Sequence, residues 1–161
     1  MTMSGTMQGI TVAGAVGAGL IGGVFFTFSG FVLAALKRLP AAQGISAMQS
    51  INKTAVTPPL MLALFGTAVL SVVVGIWAIR SWADPSAKWA LAAALAYLAA
   101  VVITAVANVP LNNSLAGLNP HAAGAPAQWA SFLTHWTVWN NLRGAAAVAA
   151  GLAFVIALIR R

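Results

Sequence analysis

Two tryptophans, two asparagines and an arginine stand together in Trp136-Thr137-Val138-Trp139-Asn140-Asn141-Leu142-Arg143, directly ahead of the last apolar block. On a helix, Trp136, Trp139, Asn140 and Arg143 fall within an arc of about 100°, while Thr137 and Asn141 point elsewhere. Tryptophan rings stack on flat molecules, an amide hydrogen-bonds, and a guanidinium supplies a fixed positive charge. The arc therefore reads as a binding face for a planar ligand that carries oxygen. The competing reading is an interfacial belt, where tryptophan gathers and arginine snorkels to phosphates. That suffices for Trp82, Trp89 and Trp129, but a belt needs no amide between its aromatic residues. His135 lies at the edge of the arc and has the chemistry of a general acid or base, although a lone histidine is more often structural.

A second polar stripe lies upstream. Thr104, Asn108 and Asn112 recur every four residues and share a face if a helix persists past Pro110. That proline has no N–H and frees the carbonyl one turn back, at Val106. At membrane depth, freed backbone groups find a polar partner or line a cavity. The alternative is a helix that ends among the headgroups, where asparagines are ordinary. Gln49 and Asn52 add amides from an earlier connection. In the first apolar block, Thr27 and Ser29 are expected to bond back to their own helix.

These residues must be held by membrane-spanning elements. Of 161 residues, 61% are hydrophobic and 6% charged, against about 25% charged in soluble domains. Four blocks reach or approach the ~20 residues that cross a bilayer: about 8–36, 58–79, 88–107 and 144–159. A tryptophan-bearing amphipathic or interfacial helix, about 128–143, leads into the fourth. Residues 39–57 predict a short amphipathic helix before Pro58-Pro59, which suit the first turn of the second span. Residues 108–129 hold Pro110, Pro120, Gly124 and Pro126 and predict a largely irregular loop. Gly19 and Gly23 have the small-xxx-small spacing that permits close helix approach. The expected fold is an all-α, four-helix transmembrane bundle, with the chain as one integral membrane domain. The N-terminal block is too long for a signal h-region and reads as a retained span.

Charge and composition exclude several function classes. The net charge of +7 comes from eight Lys/Arg against one acid, Asp84. The bases are scattered at the ends of apolar runs, which fits membrane-flank anchoring and not nucleic-acid binding. One carboxylate excludes paired-acid chemistry and carboxylate-rich metal sites. The absence of cysteine excludes thiolate chemistry and disulfides. Orientation stays open, because Lys37, Arg38, Lys53 and Arg143 on one side balance Arg80, Lys88, Arg160 and Arg161 on the other. The polar residues are lopsided towards the side of the first and third connections, so a site would open there.

Gly23–Leu36 (GVFFTFSGFVLAAL), Gly44–Asn52 (GISAMQSIN), Phe65-Gly66-Thr67, Asn108–Asn113 (NVPLNN) and Trp136–Arg143 (WTVWNNLR) resemble the anthrone oxygenase-like family of small four-span membrane proteins. The resemblance covers most of the chain, and its asparagine-proline and tryptophan-asparagine-arginine motifs are the distinctive parts. It implies oxidation of an anthrone- or polyketide-like lipophilic aromatic by O2 without a cofactor. Where family members often carry histidine after the tryptophan-helix asparagine, this chain has Asn141. The expected site is Arg143, Asn140 and His135 for chemistry, with Asn108, Asn112, Trp136, Trp139, Asn52 and Gln49 for binding; of these the resemblance carries Asn108, Asn112, Trp136, Trp139, Asn140 and Arg143. No protein-held metal is expected; haem and flavin are left open. The expected partners are the lipid bilayer, in the cell membrane, and a lipophilic aromatic molecule, with an oligomer or larger complex open. The alternative is a non-catalytic membrane binding protein or a small subunit of a membrane complex.

Overall fold

A computed structural model describes residues 3–160. Four long helices and one short one make up the fold: α1 Gly5–Lys37, α2 Ala41–Thr54, α3 Pro58–Arg80, α4 Ala87–Ala116 and α5 Ala125–Ile159. The four long ones are apolar and long enough to span a bilayer. Each boundary has a local cause. Ser4 Oγ accepts the Met7 N–H at the start of α1, and Pro40 stands ahead of α2. Prolines in the first turns of α3 and α5 occupy positions whose N–H would lack a helical partner anyway.

Helix α5 packs on α1 and α4, and α3 closes the ring by packing on both of them as well. Alanine and glycine make this possible. Ala90, Ala93 and Ala100 on α4 and Ala147, Ala150 and Ala157 on α5 are fully or almost fully buried, so backbones approach closely, as helices do where lipid supplies no hydrophobic drive. The closest approach is at Gly17, where an added Cβ would collide with the Thr67 hydroxyl of α3. Gly17→Ala is expected to cost about 1–3 kcal/mol through overpacking. The readout is a lower thermal midpoint in detergent, partly recovered by Thr67→Ala in the same chain. The small-xxx-small spacing singles out Gly19 and Gly23 instead. Both face outward, with open space where a Cβ would go, and Gly14, Gly17 and Gly22 make the contacts.

Helix α5 has 35 residues and is about 52 Å long, well beyond the roughly 30 Å hydrocarbon core. Helices α1 and α4 overshoot on the same side. Their ends join α2 in a separate cap core built from larger side chains, among them Leu36, Ile45, Met48, Leu115, Trp129 and Phe132. The membrane part has its own core, rich in alanine.

The third connection differs from the sequence expectation. Residues 109–116 and 125–129 are helical, leaving only 117–124 irregular. The reason lies just before Pro110. Thr104–Asn108 forms a π-helical turn, with the Val109 N–H bonded to Thr104 O, and such an adjustment lets a membrane helix continue through proline. A second π turn, Phe28–Val32, interrupts α1.

At the opposite end, Asp84 organises the α3–α4 turn. Its Oδ1 accepts the Ser86 N–H at 2.8 Å and the Ser86 hydroxyl at 2.5 Å. Burial acts to raise its pKa, but the Ser86 bonds prevail and hold the carboxyl below the usual aspartate value. A depressed folded pKa gives stability that is complete above the unfolded value of about 3.9 and lost as pH falls through the folded one. Asp84→Asn is therefore expected to lower the thermal midpoint at pH 7, by about 1 kcal/mol of stability. The difference from wild type should vanish near pH 2.

Candidate functional site

Where the two cores meet, α1, α2, α3, α4 and α5 enclose a cavity of about 280 Å³. Small-molecule pockets run from roughly 300 Å³ upward, so the occupant must be compact. Phe25 and Phe28 of α1, Leu64 and Phe65 of α3 and Val101 of α4 make most of the wall apolar. Polar groups come from Asn52, Thr104, Asn112 and Arg143. Val56, Phe65 and Val109 both line the cavity and are exposed. The cavity therefore opens sideways, between the first half of α3 and the second half of α4. Below it, the Tyr97 hydroxyl donates to Leu64 O at 3.1 Å and ties α4 to α3.

Arg143 is the centre of the site and is only 7% exposed. At about 1.5 Å per residue it lies about 24 Å from Ile159 along α5, inside the hydrocarbon depth. Its Nε and Nη2 donate to Asn140 Oδ1 at 3.1 and 2.8 Å, and Nη1 donates to Thr104 Oγ1 at 3.3 Å. The guanidinium carbon sits 4.0 Å from the Phe25 ring centroid and 5.2 Å from that of Trp136. Two aromatic faces thus stabilise the buried cation. Among the described residues it has no carboxylate partner, because Asp84, the sole acid, sits in the turn at the other end of the bundle.

Asn140 holds this arginine in place. Its Nδ2 donates to Phe25 O and to Ser29 Oγ, both at 2.8 Å, so both sides of its amide are engaged. It does not line this cavity but a separate, more open recess beside Phe26, Ser29 and Gly144. Ser29 lies in the α1 π turn and Thr104 in the α4 π turn. Both π turns therefore deliver a hydroxyl to the Asn140–Arg143 pair. π turns occur often at functional sites.

Trp136 is 2% exposed and forms the cap-side wall. Its Nε1 donates to Asn112 Oδ1 at 2.7 Å, and its ring packs 5.7 Å from that of Phe28. The remaining residues proposed from sequence divide clearly. Asn52, Asn112, Trp136 and Arg143 come together on the cavity. Asn108 is fully buried beside it; its Nδ2 donates to Trp136 O at 3.3 Å. Its Oδ1 has no partner among the described residues. Gln49 spans from α2 to Leu115 O and Leu118 O at 2.8 and 2.9 Å, satisfying carbonyls at the end of α4. Trp139 is 39% exposed and lies outside the cavity lining. His135 is also exposed and outside the lining, its Nδ1 within 2.9 Å of Ser131 O.

Phe25 and Thr104 join the site without being among the residues expected there, and Ser29 accepts from Asn140 where a bond within its own helix is expected. Thr104 was visible as a member of the polar stripe. Phe25 carried no signal, being one of several phenylalanines in an apolar run. No group of three or more His, Asp or Glu forms a metal-binding cluster among the described residues, and neither histidine reaches the cavity.

The fold and site define a multi-pass helical membrane protein with a side-opening cavity built around a buried arginine that has no carboxylate partner among the described residues. The family model described as anthrone oxygenase matches residues 51–153, which include the α2 end, both polar stripes and Arg143. The chain belongs to that family. No curated protein and no solved structure matches it.

Proposed function

We propose that the cavity binds a flat, lipophilic aromatic molecule bearing oxygen and that the protein, in the cell membrane, oxidises it with O2 as an anthrone is oxidised to an anthraquinone. The observation that carries this reading is Arg143, a cation held on the wall of an apolar cavity with no anion of its own. In an anthrone the CH2 between two rings is acidic, and the charge left by its proton spreads to the carbonyl oxygen. The anion's electron pair forms a C–O bond to O2, giving a hydroperoxide after protonation. Loss of water then leaves the second carbonyl. The balance is one CH2 and one O2 consumed, one C=O and one H2O formed. A fixed positive charge at the oxygen favours the anion and the transition state leading to it. Trp136 and Phe28 would hold the rings, and Asn52 and Asn112 would meet their oxygen substituents.

A binder without chemistry is the second reading, and one observation favours it: among the described residues, Arg143 is the sole ionisable side chain lining the cavity. Oxygen-electrode measurements on purified protein in detergent, with anthrone as substrate, separate the two. Uptake of one O2 per anthraquinone supports oxidation. Saturable anthrone binding with no uptake above the detergent blank leaves the binder. An absorbance spectrum of the same preparation tests for haem and flavin.

A further inference from the structure

We infer that the cavity takes its ligand as an oxyanion, selecting aromatic molecules with an ionisable hydroxyl or enol, and that the ligand's proton goes to water and not to a protein side chain. This rests on the reading that the cavity binds an oxygen-bearing aromatic, and does not require that it oxidise one.

A guanidinium has five N–H donors. Three are used, on Asn140 Oδ1 twice and on Thr104 Oγ1. The other two have no acceptor among the described residues, in a side chain 7% exposed. Buried ionised groups ordinarily pair with an opposite charge. None is available here. The groups facing the guanidinium are Phe25 from α1, Thr104 from α4, and Trp136 and Asn140 from α5. Across the cavity α2 offers Asn52, and α3 offers Leu64 and Phe65. None of these titrates. Other ionisable side chains on these helices stand outside the lining. Lys53 is exposed on α2, His135 is exposed on α5, and the Tyr97 hydroxyl is spent on Leu64 O.

The sign follows from which group is already buried. Arg143 is largely buried by the protein itself, so a ligand oxyanion completes a charge pair at the cost mainly of desolvating its own oxygen. A delocalised aromatic oxyanion is the anion least penalised by that step. A neutral ligand would leave the cation unpaired.

The test uses 1-naphthol, whose ionised form is read by absorbance, and 1-methoxynaphthalene, a neutral analogue of the same shape, each titrated into the full-length protein in detergent. The acid constant of bound 1-naphthol should be at least tenfold larger than in protein-free micelles. Its affinity should rise at least tenfold across its ionisation, while that of 1-methoxynaphthalene stays flat. Arg143→Gln should remove the shift and Arg143→Lys keep part of it; Lys53→Ala should leave it intact. If Arg143→Gln does not fold, the wild-type contrast between the two probes decides the matter. The inference is overturned if bound 1-naphthol keeps its ordinary acid constant, if the methoxy analogue binds as tightly as the ionised naphthol, or if neither binds. Anthrone-dependent O2 uptake on the same preparation is read separately. Uptake without a naphthol shift preserves the oxidation reading and rejects this one, and a shift without uptake does the reverse.

Discussion

Replacing Arg143 with methionine is expected to lower anthrone-dependent O2 uptake by about 10²–10³-fold, the loss seen when one preorganised oxyanion partner is removed. The thermal midpoint in detergent should stay within about 1 kcal/mol of stability, because relief of the unpaired buried cation offsets the cost of leaving Asn140 Oδ1 without its two Arg143 donors. Most buried side chains would show the opposite pattern, losing stability first and activity as a result. Here the cation has no counter-charge, and hydrophobic groups of similar volume often replace buried ionic groups at no cost or with a gain. Methionine keeps the unbranched shape that packs between Phe25 and Trp136 and is adaptable enough to fill the gap. Thermal unfolding and oxygen uptake measured on one preparation decide the point. A midpoint that falls in step with uptake would make Arg143 a structural brace.

The second large effect lies one turn away. Asn140→Ala removes the acceptor of two Arg143 bonds and the donor to Phe25 O and Ser29 Oγ. An unmet buried polar group costs about 1–3 kcal/mol, more if charged, while single hydrogen bonds in membrane proteins average nearer 0.6 kcal/mol. A loss of about 2 kcal/mol is expected. The residues act as a unit, so the effects should not add. With methionine at 143 there is no guanidinium left to strand, and the Asn140→Ala, Arg143→Met double variant should be more stable than Asn140→Ala alone. Additive losses in that cycle would mean that Asn140 works mainly through α1.

Much of the architecture is legible in residue type. Four apolar runs, a proline pair opening α3 and a polar segment with helical spacing at α2 are local signals. The misread connection has a definite cause. A proline and two asparagines look like a helix end, and nothing in composition reveals that a π turn at Thr104–Asn108 carries the helix through Pro110. Gly19 and Gly23 show a related limit, since spacing marks a small face without saying which neighbour it meets. Within the site, the arc of Trp136, Trp139, Asn140 and Arg143 could be drawn from sequence, but its centre could not. The cavity takes Trp136 and Arg143, while Asn140 turns to a backbone carbonyl. Gln49 and Asn108 do the same, at Leu115 O, Leu118 O and Trp136 O. Backbone carbonyls have no letter in the sequence, so a buried amide's partner is invisible until the helices are assembled.

The sideways opening between α3 and α4 gives the bilayer a part in selection. A molecule that reaches Arg143 past Phe65 and Val109 is drawn from its concentration in lipid and not in water. Two ligands with the same fit would then differ in apparent affinity by the ratio of their partition coefficients. Hydrophilic oxyanions, poorly soluble in lipid, would be excluded before geometry mattered. Discrimination would proceed in two stages, first by solubility in the membrane and then by charge at the guanidinium.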